Sequence, residues 1–150
     1  MTFTILSIAR SLAEHLAPVL PGVRFYEDPN QQGTRPPCLF LQQRYSYLDH
    51  RQAGRQLRRI GLDLTYLVPY NLPDLHRRYL QAAEALDEAM EVFPYSDGTE
   101  TALVRTYDRQ WQMDLDALHY KFELKIWVEQ PQPGPAMQQM DYHQEVQRGE

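Results

Sequence analysis

From Leu118 to Val128 the chain alternates without a break, with Leu118, Tyr120, Phe122, Leu124, Ile126 and Val128 set against His119, Lys121, Glu123, Lys125 and Trp127. Successive side chains of a strand point to opposite faces, so this pattern requires a sheet with one buried and one polar face. Burying six side chains of this kind contributes roughly 1.5–3 kcal/mol each. The run Arg58 to Pro69 repeats the pattern: Arg58, Ile60, Leu62, Leu64, Tyr66 and Val68 share a face opposite Arg59, Gly61, Asp63, Thr65 and Leu67. The most regular part of the chain is therefore scaffold.

Around these strands the chain divides readily. Residues 3–17 predict an amphipathic helix, with Ile5, Ile8, Ala9, Leu12, Leu16 and Val19 at helical spacing, Thr4 as its N-cap and Pro18 at its end. A short strand follows at residues 23–27, then a polar loop over 28–37. A second strand runs from Cys38 to about Tyr47 and a third from Gln56 to Val68. Strands this long exceed the usual five or six residues, and residues 38–68 are expected to form a hairpin with an extended arm tipped by His50, Arg51 and Arg55. Asn71 is the expected cap of a second helix, whose apolar stripe is Leu75, Tyr79, Leu80, Ala83, Leu86, Met90 and Phe93, ending before Pro94. Ser96-Asp97-Gly98 signals a turn, Thr101–Thr106 a fourth strand, and residues 107–116 a possible continuation of its pairing. Beyond Gln130 a Pro- and Gln-rich stretch has too little apolar content to fold alone. It reads as a tail, disordered or ordered only on a partner. The expected organisation is one α+β domain over residues 1–129, a mainly antiparallel sheet packed against two helices with the projecting hairpin, and a flexible tail over 130–150.

At 150 residues the chain is long enough for one domain with its own core. A net charge of −5 argues against a molecule that binds DNA by its overall charge. The one cysteine, Cys38, leaves no internal disulfide and reads as buried and inert. No stretch has the roughly eighteen apolar residues of a membrane span, and no signal peptide is read at the N-terminus.

The sequence carries almost no signature of chemistry. Asp114, Asp116 and His119 form the one catalytic-looking cluster, but no nucleophile signature accompanies it, and strand neighbours point to opposite faces. The histidines at 15, 50, 76, 119 and 143 show no ligand spacing, and no glycine-rich loop suits a phosphate. No enzyme activity, cofactor or metal is expected. Charge placement is more telling. Arg51, Arg55, Arg58 and Arg59 cluster near Tyr45 and Tyr47, whereas Glu84, Asp87, Glu88 and Glu91 lie along the second helix. These ten residues are the candidate subunit interface, a basic arm on one copy meeting an acidic helix end on its neighbour. A less favoured reading has the basic arm contact nucleic acid.

Three stretches, taken together, resemble the bacteriophage tail terminator family. RFYEDPNQQGTRPPCLFLQ (residues 24–42) is similar to the family's strand, Glu-containing loop and Pro-Cys step into an apolar strand. RRIGLDLTYLVP (58–69) resembles an arginine-led strand before the long helix, and DALHYKFELKIWV (116–128) the Leu-His-aromatic start of the last strand. The order of helix, three strands, helix and strands agrees as well. The resemblance spans about residues 1–129, and the tail beyond departs from it. It implies a non-enzymatic virion protein of phage or prophage, located in the tail or neck and assembled in the host cytoplasm. Such a protein forms a ring, commonly a hexamer, that caps the head-proximal end of the tail tube, stops its polymerisation and docks head-completion or neck proteins. The implied partners are the chain itself, the tube protein and the neck proteins, with no membrane and no specific nucleic acid. Another head–tail connector protein is the alternative within the same class.

Overall fold

The computed structural model describes residues 1–26, 35–50, 53–69, 71–114 and 117–129. The expected tail over 130–150, most of the predicted polar loop over 28–37, Arg51 and Asp116 lie outside these residues. The elements follow in the order α1 (Ile5–Leu16), β1 (Arg24–Tyr26), β2 (Cys38–His50), β3 (Arg55–Leu67), α2 (Leu75–Ala89), β4 (Val92–Ser96), β5 (Thr101–Met113) and β6 (Leu118–Glu129). The strands make one sheet in the order β1-β2-β3-β6-β5-β4, curled into half a barrel. All neighbours are antiparallel except β1 and β2. The α+β class is as the patterning requires.

Both helices pack on the inner face of the curl. Leu118, Tyr120, Phe122, Leu124 and Ile126 of β6 join Ile60, Leu62, Leu64 and Tyr66 of β3 in one core with Ile8, Leu12 and Leu16 of α1 and Tyr79, Ala83 and Leu86 of α2. Buried polar groups on this face have partners, as a water-free interior requires. The Ser11 hydroxyl accepts from Ser96 N (3.1 Å), tying α1 to β4. The Tyr79 hydroxyl accepts from Val68 N (3.3 Å), and the Tyr120 hydroxyl donates to Asp87 Oδ1 (2.7 Å). Burial and the Asp87 carboxylate together push the Tyr120 phenol well up.

Local chemistry sets the boundaries. Thr4 caps α1, its Oγ1 accepting from Ser7 N at 3.1 Å. At the 97–100 turn Asp97 Oδ1 accepts from the backbone of Thr99 (2.9 Å) and Glu100 (2.8 Å), and Gly98 takes the left-handed φ of +98° that its missing Cβ allows. These backbone donors, with Thr2 N first among them, hold the Asp97 carboxyl far below the usual range.

Two expectations are corrected. Asn71 does not cap α2; the helix begins after Pro73, with Asp74 at the N-cap position. The Asp74 carboxylate makes no capping bond and instead accepts from Arg78 Nε (3.1 Å), which holds its pKa down. Phe93 is not the last residue of the helical stripe, since Val92–Ser96 form an edge strand. Pro94 fits there because β4 pairs with β5 alone. The pairing of β5 does continue past Thr106 to Met113, across a register shift between Tyr107 and Gln110 where Asp108 adopts φ +52°. The β2–β3 hairpin is also flanked by β6 along β3 from Arg55 to Tyr66, so its far end is three strands wide.

Candidate functional site

The outer face of the sheet carries the polar half of the alternation. Near its centre lies Glu123, 1% exposed. Arg59 holds it with two bonds, Nη2 to Oε1 (3.0 Å) and Nε to Oε2 (3.2 Å), and the Tyr45 hydroxyl donates to Oε2 (2.7 Å). Burial alone would raise the Glu123 pKa; the Arg59 and Tyr45 bonds outweigh it and hold the carboxyl below its usual value. The same contacts raise the Arg59 guanidinium, and burial followed by the Glu123 bond raises the Tyr45 phenol. Each partner is thus kept in the protonation state the network needs.

Gly61 makes the arrangement possible. It pairs with Tyr45 across β2 and β3, and a Cβ built there would sit 2.2 Å from the Tyr45 ring. The ring therefore lies flat over the glycine, which brings its hydroxyl to Glu123 on the next strand. A register shift in β2 between Gln43 and Tyr45 puts Tyr45 and Tyr47 on this face.

Around the buried carboxylate is a band of basic and aromatic side chains. Arg44 lies 5.4 Å from the Tyr45 ring centre, Arg59 5.4 Å from Tyr47, Arg55 4.3 Å from Trp127, and the Lys125 ammonium 4.4 Å from Tyr107. Tyr45 and Tyr47 stack at 5.7 Å. Cation–π contacts occur about once per 70–80 residues in ordinary proteins, so four on neighbouring strands mark this face as special. With Glu123 neutralised by Arg59, the band presents net positive charge.

The predicted interface residues fall into several groups. Tyr45, Tyr47, Arg55 and Arg59 share the outer face, whereas Arg58 turns inward and donates to Phe3 O (2.9 Å). Arg51 lies outside the described residues. On α2, Asp87 accepts from Tyr120; Glu91 lies past the end of the helix, just before β4, and pairs with Arg105 (3.2 Å). Glu84 and Glu88 are exposed, with no partner among the described residues. Glu123, Gly61, Arg44, Tyr107, Lys125 and Trp127 were not predicted. Gly61 alone gave a sequence signal, since a glycine within a strand marks a close approach.

The catalytic-looking cluster resolves into a strut. His119 Nδ1 faces Asp63 Oδ2 (3.1 Å) and Nε2 faces Asp114 Oδ2 (3.2 Å). The Thr65 hydroxyl donates to Asp63 Oδ1 (3.1 Å) and lies 3.3 Å from the same Nδ1. The Thr65 O–H is directed to Asp63, not to the imidazole, and each ring nitrogen of His119 faces a carboxylate. The cluster links β3, β6 and the end of β5. Among the described residues, no group of His, Cys, Asp and Glu side chains could hold a metal ion. Cys38 is buried, and burial raises its thiol pKa. Among the described residues no helix is long and apolar enough to cross a membrane.

No curated protein matches the chain. Residues 7–135 match the family of phage tail terminator proteins, structural components of the phage tail. The match takes in all but the first two residues of α1, the whole of α2 and all six strands, and the chain belongs to the phage tail terminator family.

Proposed function

We propose that the protein closes into a ring, most simply a hexamer, at the head-proximal end of the phage tail tube. There it stops tube polymerisation and offers its other surface to head-completion proteins. The family match over residues 7–135 carries this reading. The charge layout supplies a mechanism. A closed ring needs a heterologous contact, in which two different patches of each subunit meet. The basic–aromatic face, with Arg55, Tyr47 and Trp127 exposed, is one patch. The outward side of α2, with Glu84 and Glu88 unpartnered among the described residues, is the other. Opposite charges at a contact rim steer association and fix register more than they add affinity.

Under this reading Arg55→Glu lowers assembly on the tube, and the double variant Arg55→Glu with Glu88→Arg restores it. Analytical ultracentrifugation with purified tail tube reads both. Unchanged assembly in both variants would remove these patches from the interface. In the domain division that goes with this reading, residues 1–129 build the subunit and 130–150 are an appendage. Nucleic-acid contact through the same face is the second reading, favoured by its interleaved basic and aromatic residues. Salt-dependent DNA binding by a chain that never assembles on the tube would select it.

A further inference from the structure

The sheet has a split. β5 pairs with β6 from Thr106↔Leu124 to Met113↔Leu118, but its first half, Thr101–Arg105, pairs with β4 instead. The parting is fixed at Thr106, whose N–H donates to Glu91 O (3.1 Å) and whose hydroxyl donates to Met90 O. From Lys125 to Glu129, β6 therefore has β3 on one side and no strand on the other among the described residues. Alternate residues of an antiparallel strand turn their N–H and C=O away from a given neighbour, so this stretch is an open edge.

Between the two diverging strands lies a groove of about 380 Å³, with Phe3, Val104 and Ile126 toward the core and Leu103, Lys125 and Trp127 at its rim. Trp127 is 51% exposed and Val128, the next residue along the edge, 37%. Proteins usually blunt an edge strand with proline, a bulge or repeated charges, because an open apolar edge invites pairing with another chain. Here only Lys125 and Glu129 are charged, and Ile126, Trp127 and Val128 lie between them.

We propose that this edge pairs with the same edge of a second copy of the chain, Lys125–Glu129 antiparallel to Lys125–Glu129 about a two-fold axis at Trp127. The proposal is independent of the ring reading, whose contact is heterologous. Directly paired residues lie on the same face of a sheet, so odd-numbered residues must meet odd and even must meet even. Among such registers, the one centred on Trp127 is the one that uses the whole edge. It sets Ile126 against Val128 on the inner face, where Val128 of each copy reaches the Phe3–Val104 wall of the other's groove. On the outer face it sets Trp127 against Trp127 and, at both ends, Lys125 against Glu129. An aromatic pair, a β-branched pair and opposite charges are the cross-strand combinations that stabilise a sheet. The edge is thus complementary to itself at every position.

The direction of pairing also fits the space. Residues of the second copy before Lys125 run on past Glu129 of the first, away from the stretch of β6 that β5 already occupies. β6 itself ends at Glu129, so no residue of the added strand falls opposite Leu124, where β5 is paired. In sequence Pro131 follows two residues later, with no N–H to give to a ladder. The two copies then share one continuous sheet across β3, β6, β6 and β3, with both outer faces on the same side.

Cysteine cross-linking on the full chain tests this. In Trp127→Cys the two new thiols face each other across the axis, within disulfide reach for directly paired strand residues. The native Cys38 is buried and serves as the background. Mild oxidation should give a linked dimer, about 35 kDa for two copies of the 17.7 kDa chain. Lys125→Cys alone places its two thiols four residues apart along the strands, beyond that reach, and should link at least about tenfold less. The double variant Lys125→Cys with Glu129→Cys keeps Trp127 and should link as well as Trp127→Cys. Equal linking in Trp127→Cys and Lys125→Cys would overturn the proposal. So would the absence of linking in both Trp127→Cys and the double variant. In a ring of heterologous contacts two different patches meet, so either of these results leaves the ring reading standing.

Discussion

The two faces of β6 meet the same physical demand with opposite means. Inside, Phe122 and Leu124 are closed off from water by apolar contacts with both helices. Outside, no helix among the described residues covers the sheet, yet Glu123 between them is as buried as its neighbours. The cover is a tyrosine ring lying over a glycine, and an arginine compensates the charge. The inner face loses stability in proportion to the volume removed from it. The outer face depends on a complete set of partners, because a buried charge left alone is costly. A surface organised in this way keeps its basic and aromatic groups in a fixed pattern.

This contrast predicts a graded series. Phe122→Ala, on the inner face, should lose about 3–5 kcal/mol in denaturant unfolding. A loss below about 1 kcal/mol would show that the inner core is not close-packed. Glu123→Gln keeps the shape but removes the charge, and should cost about 1–3 kcal/mol, softened by the partial solvent access of Arg59. Gly61→Ala should cost a similar 1–3 kcal/mol by displacing the Tyr45 ring. In a Tyr45→Ala background most of that cost should vanish, and a double-mutant cycle measures the coupling. Additive effects would break the link between glycine and tyrosine. Leu103→Ser, at an exposed groove rim, should stay within about 0.5 kcal/mol.

The pH dependence separates the faces as well. The Glu123 pKa is lower in the folded protein than its ordinary 4.5. Its contribution is therefore fully present above that ordinary value and is lost as pH falls through the lower folded one. Wild type should lose more stability than Glu123→Gln on acidification below about pH 4.5, as measured by urea midpoints. Phe122→Ala should keep the wild-type pH profile and lie below it throughout.

The inner face was legible in the sequence because its signal is periodic: β3, β6, the α1 stripe and the Thr4 cap all follow from spacing and residue type. β4 was hidden because Phe93 falls on the helical stripe of α2 and Pro94 reads as a stop, while an edge strand accepts proline. The start of α2 was misread because Asn71 has the chemistry of a cap, but Pro73 and Asp74 move the helix start past it. On the outer face, alternation did separate Arg58 from Arg59, yet Glu123 looks like any other polar residue of β6. Its role depends on two partners 64 and 78 residues away in sequence. Such a network follows from register, which a single strand's pattern does not contain.

The ring proposed on the tail tube rests on the oppositely charged faces of this subunit. The most direct measurement is solution mass by light scattering after size exclusion, at low and moderate salt, with and without purified tail tube. A closed species is expected, about 106 kDa for six copies of the 17.7 kDa chain, free or bound at tube ends, and weaker at higher salt as opposite charges are screened. A chain that stays at 17.7 kDa in every condition, and leaves tube polymerisation unchanged, would contradict it.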